Sequence, residues 1–345
     1  MKAVRIHQHG GPETLKVEDL PDPKCEEHDH VVVQMKAASV NHLDLWVRQG
    51  IRDWKIPLPI IPGSDGAGIV TSTGPGVKDL RAGDKILVVP NVSCGTCSFC
   101  QDGWDTFCPQ YGILGENLDG CDAELVCFSR RNIIPMPKHL SFEEAASIPL
   151  VFMSAWSMLV TKAKVKPEDF VLVWAAGSGV GSAAIQIAKL FGANVIATAG
   201  TEEKMQLAKA LGADYVLNHY KDKISEKVLE ITENHGADVV MEHIGDATWK
   251  ESLKSMAKGG RLATCGSTSG HKVEINLRHL FMKQQTILGS TMATRGELFE
   301  IIHFVRQKKL KPVVDRIFPL SEVANAHKYM EEKKHFGKIV LAINS

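Results

Sequence analysis

Net charge is the first thing this sequence lacks. Forty Lys and Arg residues balance forty Asp and Glu, so no global field favours nucleic acid, an acidic partner or a membrane surface. A long hydrophobic run is also missing. The longest nearly apolar stretch, roughly Ile148 to Val160, is interrupted by Pro149, Ser154 and Ser157 and is too short to span a bilayer, so a buried helix is expected there. The opening Met1 to His7 has no apolar core after its charges and does not read as a signal peptide. No internal repeat and no low-complexity segment appears. The eight cysteines are not spread as a disulfide framework: four crowd into residues 94–108, while Cys25, Cys121, Cys127 and Cys265 are scattered. With no export signal a reducing cytoplasm is expected, and clustered cysteines there favour metal over disulfides.

What is present divides into two grammars. A chain of 345 residues suits two domains. Residues 1–150 read as a β-rich domain, with short apolar runs (Val31–Val33, Ala67–Val70, Ile86–Val89, Glu124–Phe128) separated by Gly and Pro punctuation. Residues 151–290 alternate strand and helix, with strands expected at Phe170–Trp174, Val195–Thr198, Tyr215–Leu217, Asp238–Glu242, Arg261–Cys265 and Thr286–Leu288. Such alternation predicts an α/β fold with a doubly wound parallel sheet. From 291 to 345 the alternation breaks, and a final strand Lys338–Ala342 with no helix after it is expected to return to the first domain.

The segment after the first of those strands reads Ala175-Ala176-Gly177-Ser178-Gly179-Val180-Gly181 and opens an amphipathic helix. Small residues let the backbone turn tightly and approach a pyrophosphate, and the helix N-terminus offers unpaired N–H groups to the anion. A glycine cluster alone is weak evidence, but strand, loop, helix and a second strand together point to a dinucleotide. An acid at the tip of that second strand would hold a ribose 2′-hydroxyl and repel a 2′-phosphate. Here the tip is Ala199-Gly200-Thr201. Thr201 and Lys204 suit a phosphate, so NADP(H) is favoured over NAD(H), although Lys204 also reads as one solvated lysine beside Glu202 and Glu203. Gly266, Gly289 and Ser290, after the last two strands, are small enough to let a nicotinamide lie close.

Cys94, Cys97, Cys100 and Cys108 give four thiolates at short spacings. Four sulfurs complete a tetrahedral zinc shell with no place for a substrate, so one structural zinc in a lobe spanning 91–110 is expected.

Together these features resemble the medium-chain dehydrogenase/reductase superfamily of zinc alcohol dehydrogenases and quinone reductases. The opening Gly10-Gly11-Pro12-Glu13, the turn Pro62-Gly63-Ser64-Asp65-Gly66-Ala67-Gly68 and the closing Phe336-Gly337-Lys338-Ile339-Val340-Leu341 also carry the likeness. The resemblance implies a GroES-like catalytic domain beside the Rossmann domain, a small-molecule substrate, and a homodimer or homotetramer. Neutral net charge and the absence of a basic stripe argue against a nucleic-acid partner, and the short apolar run against a membrane.

The departures are as informative. Where the zinc alcohol dehydrogenases hold a catalytic metal and relay a proton, this chain has Asn41, Ser64, Asp65 and Leu150 as prospective ligands and Leu43 for the relay hydroxyl. Asn and Ser are poor zinc ligands and Leu is none. The expected activity is therefore NAD(P)H-dependent hydride transfer to a quinone or α,β-unsaturated carbonyl without catalytic zinc. Asn41 is the expected donor to the substrate carbonyl, and His42 is a proton donor or a residue packed at the site edge. Ser154 matches a family position whose hydroxyl contacts the nicotinamide side. Asp44 is expected to bond backbone or Arg48. Two alternatives stand beside this: an alcohol or aldehyde dehydrogenase with an atypical metal on Asp65 and His42, and a low-turnover dinucleotide-binding structural protein.

Overall fold

The computed structural model describes residues 1–24, 27–50 and 54–343; Cys25 lies outside them. The chain divides into two compact units. The first comprises Met1–Leu150, Thr294–Arg306 and the C-terminal segment from Lys311; the second comprises Val151–Ala293 and Gln307–Leu310.

The first unit is built on the strand His30–Val40, whose β-branched run Val31–Val33 and small Ala37 and Ala38 are buried against neighbours. It pairs antiparallel with Asp65–Thr73, with Leu125–Ser129 and with the last strand, Lys338–Ala342. Val314–Pro319, Lys85–Val88 and Ile133–Pro135 complete a seven-stranded sheet. The final strand thus returns to the first unit's sheet, as expected from its apolar character and lack of a following helix. Its register sets Ile339 opposite Val40, while Asp65 lies opposite Ser39. One end of three adjacent strands therefore collects Ser39, Asn41, Asp65 and Lys338. Beneath them lies an apolar core including Val31, Val33, Met35, Ile86, Ile133 and Leu341.

The second unit is a six-stranded, all-parallel sheet. In chain order its strands are Phe170–Val173, Asn194–Ala199, Tyr215–Asn218, Ala237–Glu242, Met256–Thr264 and Thr286–Gly289, and across the sheet they lie in the order third, second, first, fourth, fifth, sixth. That is the doubly wound arrangement, in which strand order reverses between the first and fourth strands. The fifth strand begins five residues earlier than Arg261, at Met256, because Met256 already pairs with Ala237 before a register shift. Pro149–Trp156 is a helix whose described core residues Val151, Phe152, Met153 and Trp156 are buried. Among the described residues no helix is long and apolar enough to cross a membrane.

Candidate active site

Asp65 is the hub of the polar end of the first unit. Its Oδ1 accepts the Leu150 N–H at 2.8 Å, and its Oδ2 accepts Asn41 Nδ2 at 2.9 Å, Ser39 Oγ at 3.2 Å and Lys338 Nζ at 3.2 Å. Lys338 Nζ also donates to Val40 O at 2.9 Å and Asn41 Oδ1 at 2.5 Å, so each of its three protons has an acceptor. Lys338 and Asp65 are 3% and 0% exposed. Burial pulls the Lys338 pKa below its ordinary value, opposed by the charges of Asp65 and Asp44. A buried pair of this kind holds only because the ions are paired and further hydrogen-bonded.

This geometry changes the roles expected of two residues. The Asn41 amide does not face a substrate carbonyl: Nδ2 is given to Asp65 and, at 3.4 Å, to Ser39 O, and Oδ1 accepts from Lys338. Asp65 is likewise committed through both oxygens, which together accept four hydrogen bonds, so a metal there would compete with them and with the Lys338 ion pair. Asn41 and Asp65 are held by one another and by Lys338. His42 sits exposed in the first turn of the helix His42–Gln49, its ring edge-on to Trp46 at 5.0 Å. Asp44 bonds backbone, accepting Asn41 N at 2.6 Å and Gly63 N at 3.3 Å, and burial pushes its pKa up to about 6. Arg48 turns elsewhere, to Gly10 O, His327 and Glu331.

Ser64, noted above at a prospective ligand position, and Glu116 and Asp122, which the sequence did not single out, are buried in the same unit and each leave an oxygen unpartnered. Those atoms are Ser64 Oγ, Glu116 Oε2 and Asp122 Oδ1. The lack of a partner is visible only in three dimensions.

In the second unit the glycine-rich segment forms a cradle at the head of the helix Gly179–Leu190. Ser178 caps this helix, its Oγ accepting the Gly181 N–H at 2.9 Å. Any Cβ on Gly181 would lie 2.4 Å from Ala175 O, so only glycine fits. Ala176 N donates to Thr198 O at 2.8 Å, locking the loop to the second strand. Gly177, Gly179 and Val180 complete the turn, and the helix N-terminus offers N–H groups to an anion. Thr201 caps the next helix by accepting Lys204 N at 3.3 Å. Ser154 Oγ lies 3.8 Å from Met292 Sδ, and Ser290 Oγ donates to Ser157 Oγ at 2.9 Å. Gly266 packs beside His243 O, where an added Cβ would sit at 3.2 Å, whereas Gly289 has open space around it.

Cys94, Cys97, Cys100 and Cys108 bring their sulfurs within 4.8 Å of one another. Backbone N–H groups of Thr96 and Cys97 reach Cys94 Sγ at 3.5 and 3.3 Å, and those of Cys94 and Gln110 reach Cys108 Sγ at 3.4 and 3.3 Å. Those donors, Thr96 first, pull the Cys94 thiol down to about 6. The set fits a structural zinc. The lobe is tied down by Asp105, whose carboxylate accepts Arg295 N at 3.1 and 3.3 Å. Among the described residues the other cluster of potential metal ligands is Glu27, Asp29 and His30, and neither cluster includes Asp65 or His42.

Family models agree with both halves. Residues 27–138 match the alcohol dehydrogenase GroES-like domain and residues 179–307 match the zinc-binding dehydrogenase domain. An alcohol dehydrogenase of Geobacillus stearothermophilus is 33% identical, covering 100% of each chain. The chain belongs to the medium-chain dehydrogenase/reductase superfamily. Its GroES-like unit is the first unit above and its Rossmann unit the second. The quinone oxidoreductase of Homo sapiens is also similar, 30% identical over 99% of this chain and 98% of that one. A solved structure titled as an NAD-dependent alcohol dehydrogenase is 49% identical, covers 100% of both chains and superposes with a TM-score of 0.96. This medium-chain dehydrogenase/reductase is thus an oxidoreductase, with a cysteine cluster compatible with structural zinc.

Proposed function

We propose that this protein is an NAD(P)H-dependent reductase of quinones or α,β-unsaturated carbonyls that works without a catalytic metal. The observation that carries the proposal is the closed Asp65–Asn41–Lys338 cluster at the position where related dehydrogenases recruit zinc. Oxidising an alcohol requires removal of its hydroxyl proton, an acidity that a metal supplies. An activated acceptor needs only a positioned oxygen and a proton. The relatives' names cover both chemistries, so they do not choose between them.

The nicotinamide coenzyme supplies the hydride when bound. Ala176 to Gly181 would hold its pyrophosphate at the helix N-terminus, and Ser154, Gly266, Gly289 and Ser290 would line the nicotinamide side. His42, exposed at its helix head, would exchange protons with solvent. The cysteine lobe would hold one zinc. NADPH preference is proposed because Ala199 leaves the strand tip without an acid, with Thr201 and Lys204 beside it. A homodimer or homotetramer is proposed because Leu277, Phe281 and Met282, each about two-thirds exposed, flank the sheet-edge strand Thr286–Gly289.

The test is a turnover comparison under identical conditions. NADPH-dependent reduction of 1,4-benzoquinone or 2-cyclohexenone should exceed NADP+-dependent oxidation of ethanol or benzyl alcohol in kcat/KM. Faster alcohol oxidation, abolished by chelation, would assign the alcohol dehydrogenase activity of the 49% identical structure's title instead.

A further inference from the structure

A cleft of about 380 Å³ lies within the first unit, and Ile61, Val92, Leu114, Leu118, Leu125 and Val126 form most of its apolar wall. None of Ser39, Asn41, Asp65 and Lys338 lines it. The strand pairing explains the separation. Val126 stands opposite Val33 and Leu125 opposite Gln34, whereas Asp65 stands opposite Ser39, further along the same strand. The polar side chains of the wall are already engaged. Asn132 Nδ2 donates to Val89 O and Asn91 O at 2.9 and 2.8 Å, Asp119 Oδ1 accepts Ile61 N at 2.8 Å, and Ser129 Oγ donates to Asp29 Oδ2 at 2.8 Å. The Met1 ammonium donates to Leu20 O and to Asp22 Oδ1 at 2.8 and 2.9 Å. The His30 ring is flanked by Glu27 and Asp29 at 3.5 and 3.3 Å. With the Met1 ammonium paired, the Asp119 carboxylate is the charge that remains on the wall. Leu118 is 50% exposed, a large apolar side chain left in water at the cleft. The walls are fixed by backbone: Gly120 N donates to Ile61 O at 2.7 Å and Gly115 N to Leu118 O at 2.8 Å. A Cβ on Gly120 would fall 2.1 Å from Gly63 O, so the loop is packed directly on the turn behind it.

We propose that this cleft binds a small, uncharged, apolar molecule of about the size of a substituted benzene, at a site separate from the polar cluster at Asp65 and from the coenzyme loop. The size follows from the volume. An apolar cavity of about 150 Å³ takes up benzene, and pockets for small ligands begin at about 300 Å³. The chemical class follows from the wall. A strongly polar ligand would give up its water without gaining partners, and an anion would meet the Asp119 carboxylate with no unpaired ammonium to offset it. An apolar ligand gains by covering Leu118 and the methyl groups behind it. The walls are preformed, so little ordering opposes binding. The inference is independent of the reductase assignment, because it concerns neither the coenzyme nor the hydride acceptor.

The experiment titrates 4-fluorotoluene with the full-length, zinc-loaded protein and follows the fluorine resonance of the probe. Saturable binding is expected in the wild type. Leu118→Arg sets a charge on the apolar wall and should weaken binding roughly tenfold or more, while Leu118→Met should bind like the wild type. Leu118 is half exposed, so the fold should tolerate arginine there, as an unchanged Tm and an unchanged NADPH dissociation constant would verify. Leu125→Trp fills the cleft from a second, half-buried position and should weaken the probe to a similar degree. The anion 4-fluorobenzoate should bind the wild type roughly tenfold more weakly than 4-fluorotoluene or worse, and Leu118→Arg should narrow that gap. Absence of saturable binding up to the solubility of the probe would overturn the proposal. So would equal affinity in wild type, Leu118→Arg and Leu125→Trp, or 4-fluorobenzoate binding as tightly as 4-fluorotoluene. A smaller assembly in solution for Leu118→Arg would show that a second copy of the chain covers the cleft, and would overturn it as well.

Discussion

Two clusters of potential ligands in the same unit have met opposite fates. The lobe at Cys94–Cys108 brings four sulfurs within 4.8 Å of one another, with the backbone N–H groups of Thr96 and Cys97 favouring the ionised form of Cys94. The cluster at Asp65 holds a carboxylate, an amide, a hydroxyl and an ammonium that satisfy one another. The first set is compatible with a structural zinc; the second already contains a cation, in Lys338. A carboxylate's availability to a metal is therefore decided by its other partners, and a ligand-type residue at a familiar position is no evidence of a metal until those partners are known.

The comparison can be broken most severely at the lobe. Cys108→Ser should release zinc and cost several kcal/mol of stability, given that structural zinc contributes on the order of 10 kcal/mol to isolated zinc-binding peptides. Calorimetry with metal analysis checks this, and coenzyme binding to the Rossmann unit should survive in part. A well-folded, metal-free and thiol-reactive lobe would reverse the assignment.

At the other cluster, Lys338→Met should cost about 3–5 kcal/mol, the penalty for stranding a buried charge. Adding Asp65→Asn should recover much of it, because the charge left behind disappears. Chemical denaturation of the single and double variants measures the difference, and near-wild-type stability of Lys338→Met would remove the ion pair from the account.

Glu116 sharpens the comparison through pH. Its folded pKa lies above its ordinary value, so the folded state holds the proton more tightly than the unfolded chain. The resulting stability is fully present below about pH 4.5 and is lost as pH rises through about 7, an effect on the order of 2 kcal/mol. Glu116→Gln should remove that dependence and make the protein the more stable form at pH 8. Parallel stability profiles of the two proteins would contradict this.

The smallest effect belongs to the coenzyme. Lys204→Ala should weaken NADPH binding by about 1 kcal/mol, tenfold at most, with NADH little changed. Fluorescence titration with both coenzymes checks it; equal affinity of the wild type for both would reject the NADPH preference.

Much of the fold was legible because its signals are local. The strand Phe170–Val173, the loop to Gly181 and the helix that follows are one contiguous segment, and the four cysteines lie within residues 94–108. The returning strand Lys338–Ala342 could be read to the residue from its apolar run. The polar cluster could not. Lys338 stands in a quoted closing motif, yet its partners Asp65 and Asn41 are 273 and 297 positions away. No periodicity links them, so Asn41 looked free to meet a substrate. Glu116 was hidden for a related reason: what marks it is the lack of a partner, a property of the packed chain and of no single residue.

The account stands most directly on how many metal ions one folded chain retains. Zinc quantified per chain in the purified wild-type protein, after equilibration with the free ion and removal of the excess, should come to one, held by the lobe. Two zinc ions per chain, with the second lost in Asp65→Asn, would contradict the claim that the cluster at Asp65 is closed to metal.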